Sequence, residues 1–155
     1  MTVDVKAKLN ELGLELPVAS LPLAAYVPAV RIGNLVFTAG QLPLVNGAIP
    51  FVGKVDGGVT PEQAKEMAQV CGLNAIAALG LVADINSIER VVQVRGFVNG
   101  VTGFVGHPGV VNGVSELFIN IWGEEKGKHA RTAIGVAELP LNSPVEVEVI
   151  FELKA

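Results

Sequence analysis

The chain is poor in the residues from which reactive centres are most often built: among 155 residues there are one cysteine, two histidines, one tryptophan and one tyrosine. A single thiol excludes an intramolecular disulfide framework and suits a reducing cytosol. Two histidines and one cysteine are too few for a usual zinc site, so no metal is expected. Charged residues make up 17% of the chain and the net charge is −4. No global positive field therefore draws nucleic acid to the surface. The Walker loop, the G-x-S-x-G elbow and C-x-x-C are missing as well. Without a Ser/Gly linker, low-complexity tract or domain-length repeat, residues 1–155 read as one domain.

What the chain has in plenty is apolar surface. Half of its residues are hydrophobic although only 5% are aromatic, and the mean hydropathy is +0.51. A soluble domain this apolar is expected to hide surface in an oligomer. Membrane readings fail on detail. Residues 32–53 carry no charge, yet four Gly, two Pro, Asn34, Gln41 and Asn46 break them into strands and turns. Residues 96–115 hold six Gly, too many for one stable helix. Met1 to Gly13 has charges throughout and no signal-peptide core. The expectation is a cytoplasmic protein with no membrane contact.

Periodicity supplies the elements. Residues 3–12 fit a short helix with Val5, Leu9 and Leu12 on one stripe. Pro17, Pro22 and Pro28 keep the following stretch extended. A hairpin is expected from 26–32, a turn at Gly33-Asn34, and Leu35 to Ala39, with a second turn at Asn46-Gly47. Thr60-Pro61-Glu62-Gln63 is a helix start: Thr60 caps, Pro61 suits the first helical position, and Gln63 completes a capping box. Ala64, Met67, Ala68, Cys71, Ala75 and Ala78 then recur at helical spacing before Gly80, a face small enough for close packing on a sheet. Ile88 to Val98 reads as a strand, about Gly109 to Trp122 as a second helix, and His129 to Glu138 and Val145 to Leu153 as strands. The order β-β-α-β-α-β-β predicts an α+β fold, a sheet with two main helices on one face.

Most chemistry-bearing residues have a plain structural explanation. The glycines at 100, 103, 106 and 109 recur every three residues, a loop feature and not the dinucleotide fingerprint. Cys71 lies on the apolar helix face and reads as a buried small hydrophobe. His107 and His129 lack a carboxylate or cysteine partner at ligand spacing. In Val145-Glu146-Val147-Glu148-Val149 the glutamates share one strand face, which alone would mean a solvated surface. Arg131, among small and apolar neighbours, could pair with a surface acid.

Taken together, however, His129-Ala130-Arg131-Thr132, Val136-Ala137-Glu138-Leu139-Pro140 and Val145-Glu146-Val147-Glu148 resemble the C-terminal signature of the reactive-intermediate deaminases, the RidA or YjgF type often labelled L-PSP endoribonuclease. Tyr26-Val27 and the run Gly33 to Pro43 resemble that family's first hairpin, and Val111-Asn112-Gly113-Val114 its second helix. The likeness covers about residues 23–155, leaving residues 1–13 as an added segment.

The resemblance implies a chorismate-mutase-like fold, a homotrimer, and clefts between subunits that take a small 2-imino or 2-keto acid without any cofactor. Arg131 would grip the ligand carboxylate, as a permanently charged bidentate fork can. Glu146 would position or activate the attacking water, Tyr26 and Asn112 would line the cleft, and the backbone at Gly40 would touch the ligand. The best-known branch has a serine where this chain has Ala39 and a cysteine where it has Ala133, so a hydroxyl and a thiol are missing. Three functions follow: hydrolytic deamination of 2-imino or enamino acids, binding of a small carboxylate in a non-catalytic or regulatory trimer, and, least in keeping with the charge, ribonuclease activity. Geometry constrains the first. If residues 131–138 and 145–152 formed a simple hairpin, Glu146 would lie six positions from the partner of Arg131, roughly 20 Å away. The two strands must then not be neighbours, or the cleft must borrow from another subunit.

Overall fold

Val145–Leu153 alternates buried and partly exposed side chains without interruption, and in the computed structural model, which describes residues 2–22 and 24–155, this segment is the middle strand of a five-stranded sheet. The strands are β1 (Ala29–Ile32), β2 (Leu35–Thr38), β3 (Ile88–Val98), β4 (Ala130–Gly135) and β5 (Val145–Leu153), in the order β1-β2-β5-β3-β4. All pairs are antiparallel except β3 with β4, so the sheet is mixed. Val145, Val147, Val149, Phe151 and Leu153 are buried, whereas the glutamates between them point to the opposite face.

The buried face is covered by helices α2 (Pro61–Leu79) and α3 (His107–Gly127), with the short α1 (Val5–Glu11) packed beside α3. The expected capping box is present: Gln63 N donates to Thr60 Oγ1 at 3.1 Å and Thr60 N donates to Gln63 Oε1 at 2.9 Å. Small residues let α2 and α3 approach closely, since a side chain at Gly72 would collide with Val114 and one at Gly113 with the Lys65 carbonyl. Phe118, Trp122 and Phe151 fill the centre, with Phe118 5.5 and 5.6 Å from the other two rings. Burying each such side chain contributes about 1.5–3 kcal/mol. Cys71 is fully buried, as expected, and burial raises its thiol pKa well above the ordinary range.

Several boundaries differ from the sequence expectation. The first strand begins at Ala29, leaving Tyr26 in a bend before it. Helix α3 runs from His107 to Gly127, longer than 109–122, because Pro108 is well suited to a helix's first turn. Its last turn is broken by Gly123, whose φ of 77° lies outside the helical region. Leu12 is not on the buried stripe: it caps α1 and is exposed, while Val5 and Leu9 are buried. Strand β4 stops at Gly135, where its pairing with β3 ends. Leu23, in the stretch expected to be extended, lies outside the described residues.

The connection from β4 to β5 decides where the site residues fall. It does not turn back as a hairpin but crosses the end of β3, so that β3 lies between the two strands. Asn99, fully buried after β3, fastens this crossing by donating to the Ser143 carbonyl at 3.1 Å and to Asn142 Oδ1 at 3.2 Å. Ser143 Oγ in turn donates to the Val145 carbonyl at 2.8 Å. Among the described residues, no helix is long and apolar enough to cross a membrane.

Candidate functional site

Arg131 sits on the edge strand β4 and faces the helices. It pairs with Val94, itself paired with Val149, and both valines are buried beneath α3 and α2. Residues directly paired across a sheet point to the same side, so the arginine is directed at α3. There its Nη1 donates to Asn112 Oδ1 at 2.7 Å and to Ser115 Oγ at 3.2 Å. Asn112 and Ser115, three residues apart, share one helix face. The structure therefore brings Arg131 and Asn112 together, with one end of the guanidinium fixed by two acceptors.

Ser115 has a second partner that the sequence did not reveal. His129 Nε2 lies 2.9 Å from Ser115 Oγ, and His129 Nδ1 lies 2.7 Å from the Gly127 carbonyl. Burial lowers the histidine pKa below its ordinary value; the Gly127 hydrogen bond acts in the opposite direction, and nearby Arg131 adds to the lowering. Two spacings carry a signal for this cluster. His129 and Arg131 are two residues apart at the start of β4, and Asn112 and Ser115 three apart on one helix; neither spacing says that the pairs meet.

Glu146 belongs to the opposite face. It pairs with Phe97, and its neighbours Val145 and Val147 point toward the helices. From Arg131 it is three residues along the strands and two strands across, roughly 14 Å at the backbone, with the sheet between them. Its own surroundings contain the other expected residues. Tyr26, Val30, Phe37, Ala39, Gly40 and Glu146 line an open hollow of about 550 Å³. Gln41 N donates to the Val147 carbonyl at 2.7 Å, which lays residues 40 and 41 against β5. As a result Gly40 lies directly under the Glu146 carboxyl, where any Cβ would collide with Oε1. Burial, reinforced by Glu148, raises the Glu146 pKa above the usual carboxylate range. Tyr26 is 57% exposed at the rim.

One chain thus carries a fixed cation on the helix-covered side and a half-buried carboxyl on the open side. No group of three or more His, Cys, Asp or Glu side chains among the described residues is arranged to hold a metal ion.

The family model described as YjgF/chorismate_mutase-like, putative endoribonuclease, matches residues 6–153. The chain belongs to this family. The α+β arrangement seen here, a five-stranded mixed sheet with helices on one face, is the YjgF/chorismate-mutase-like fold. The chain is similar to Protein TCP17 of Trypanosoma cruzi, with 35% identity over 96% of this chain and 94% of that one. Its structure is similar to the crystal structure of Atu1372, a protein with unknown function from Agrobacterium tumefaciens, with a TM-score of 0.88, 40% identity and coverage of 97% and 92%. A 2-iminobutanoate/2-iminopropanoate deaminase of Dermatophagoides farinae is 27% identical over 89% of this chain and 93% of its own length. Arg131 and Glu146 both lie within the residues that the YjgF model matches.

Proposed function

We infer that this protein is a hydrolytic deaminase of small reactive 2-imino or enamino acids, releasing a 2-keto acid and ammonia, and that it works as a homotrimer with its clefts between copies. The observation that carries the reading is the fixing of Arg131 by Asn112 and Ser115 at an open sheet edge. With Nη1 occupied, the remaining guanidinium donors are the ones offered to a ligand, and a bidentate fork matches a carboxylate. The named activity of the Dermatophagoides relative supports the same choice of substrate.

The sheet separates Arg131 from Glu146 within a chain, so the reading requires one copy to supply Arg131 and Asn112 and its neighbour Tyr26, Gly40 and Glu146. The open face favours such an assembly, because Val30, Phe37 and Ile134 are exposed on it. In the shared cleft, Arg131 holds the carboxylate and Glu146 takes a proton from the water that adds to the imine carbon. That proton passes to the nitrogen to give a carbinolamine; the carbinol hydroxyl proton then follows it through Glu146 as the C–N bond breaks and the C=O bond forms, so ammonia leaves with no net change at the glutamate. The raised Glu146 pKa makes it a better proton acceptor than an ordinary carboxylate while it is ionised.

A second reading, a trimer that binds small carboxylates without turnover, is favoured by Ala133. This residue shares the helix-facing side of β4 with Arg131 and contributes only a methyl group. One assay separates the two. An amino-acid oxidase generates 2-iminobutyrate in situ, and 2-ketobutyrate formation is followed with and without the protein. Acceleration that disappears in Arg131→Lys supports the deaminase; binding of 2-ketobutyrate without acceleration supports the carrier. We do not adopt ribonuclease activity, given the net charge of −4.

A further inference from the structure

Ser115 enters the reading above only by fixing Arg131, and His129 not at all, yet their hydrogen bonds fix the polarity of an oxygen beside the carboxylate clamp. The Gly127 carbonyl can only accept, so His129 Nδ1, 2.7 Å away, carries a proton and donates it. A neutral imidazole then has a bare lone pair at Nε2, and the Ser115 hydroxyl donates to it over 2.9 Å. The same oxygen accepts from Arg131 Nη1 at 3.2 Å. Its proton is committed to histidine and one lone pair to arginine. A hydroxyl has two lone pairs, so the only capacity left to Ser115 is one acceptor position.

We propose that Ser115 is a specificity-determining residue of the Arg131 site, set by His129 to accept a hydrogen bond from the C2 N–H of a bound 2-imino acid and to disfavour the C2 oxygen of the 2-keto acid. The proposal rests on Arg131 holding the carboxylate, as in the proposed function, and adds a way to tell substrate from product. An imine N–H meets a lone pair and is held, whereas a keto oxygen has only lone pairs and meets another. Hydrolysis would convert a matched ligand into a mismatched one, which favours its release.

The polarity is reversible. A proton on Nε2 would donate to Ser115 and release the hydroxyl hydrogen toward the ligand, turning an acceptor into a donor. Near His129, Arg131, two residues further along the chain, favours the neutral ring. Of the charged side chains close to it or to Ser115 along the chain, Lys128 is paired with Glu124, Lys126 with Glu89, and Glu116 with Lys65. Phe118 of α3 packs on the imidazole edge-on at 6.0 Å. The acceptor state therefore prevails at neutral pH and gives way as pH falls through the lowered histidine pKa.

Two stable probes test this, L-2-aminobutyrate with N–H donors at C2 and 2-ketobutyrate with an oxygen acceptor. Their dissociation constants are measured between about pH 5 and 8, and the His129 ring is followed by NMR over the same range. In the wild-type chain the preference for the amino probe should fall about tenfold as the ring takes up its proton, the exchange of one hydrogen bond for a mismatch. Ser115→Ala should make the preference independent of this titration, and Ser115→Thr should restore the dependence. His129→Phe, which keeps a ring against Phe118, should shift the preference toward the keto probe at every pH. A preference that stays level while His129 titrates would overturn the proposal, as would an unchanged preference in Ser115→Ala. Arg131→Lys separates the layers. If it weakens both probes while Ser115→Ala alters nothing, only the role of Ser115 falls; if it weakens neither, the carboxylate clamp falls and the proposal with it.

Discussion

The two faces of the sheet hold their charges in different ways. On the helix-covered side, Arg131 is bound to Asn112 and Ser115, and Ser115 to His129, so the cation is oriented by its own chain. On the open side, Glu146 makes no hydrogen bond or ion pair among the described residues, and rests on Gly40 in an apolar hollow. The first region is preorganised and the second is unfinished. A fixed donor fork suits recognition, since orienting it costs nothing further on binding, whereas an unpaired acid with a raised pKa suits proton transfer.

That contrast predicts different kinds of failure. The largest effect is expected at Glu146. Glu146→Gln should reduce deaminase turnover by about 10²–10⁴-fold, the usual contribution of a general base, while 2-ketobutyrate affinity changes little. Steady-state kinetics beside calorimetric binding checks both halves. Turnover in the wild-type chain should also fall as pH drops through the raised Glu146 pKa, because the protonated form cannot accept a proton. Stability has the opposite sign. The folded state binds this proton more tightly than the unfolded chain does, so Glu146 costs stability as pH rises above the ordinary glutamate range. The melting temperature of Glu146→Gln should exceed that of the wild type at pH 7, and the two should converge near pH 4.

Arg131→Lys should act mainly on binding. Replacing a two-bond fork loses charge-assisted hydrogen bonds worth about 1.5 kcal/mol each, or about 100-fold in affinity for 2-ketobutyrate. The smaller expected effect belongs to Gly40→Ala. The new methyl group meets the far end of the Glu146 side chain and not backbone, so the carboxyl moves aside and the fold stays intact. Turnover should fall by about tenfold with the melting temperature hardly changed, the cost of a misplaced base. Unchanged kinetics in that variant would mean that the carboxyl position is not used.

Local signals were read from the sequence more faithfully than pairings. Thr60 to Gln63 announced a capping box, and the Val-Glu alternation of 145–149 announced a strand with two unlike faces; each depends only on residues close in the chain. The motif resemblance carried Arg131, Asn112, Tyr26, Gly40 and Glu146 as one group, but no spacing told which of them share a face. That depends on β3 lying between β4 and β5, a property of the crossing held by Asn99 and Ser143. Ser115 and His129 escaped for the same reason. Fourteen residues and the end of a helix separate them, and their contact exists only once α3 has packed on the sheet. The early start of α3 at His107 was masked by the glycine series before it.

The central claim is that two copies complete one site, and mixing two inactive chains tests it most directly. Arg131→Ala and Glu146→Gln are each purified, unfolded, mixed in equal amounts and refolded together, with co-assembly verified by mass. If each cleft takes its arginine from one copy and its glutamate from the next, random assembly leaves about one quarter of the clefts with both wild-type residues. The account predicts deaminase activity near about one quarter of the wild-type value in the mixture and almost none in either variant alone. Co-assembled mixtures as inactive as their parents would contradict it.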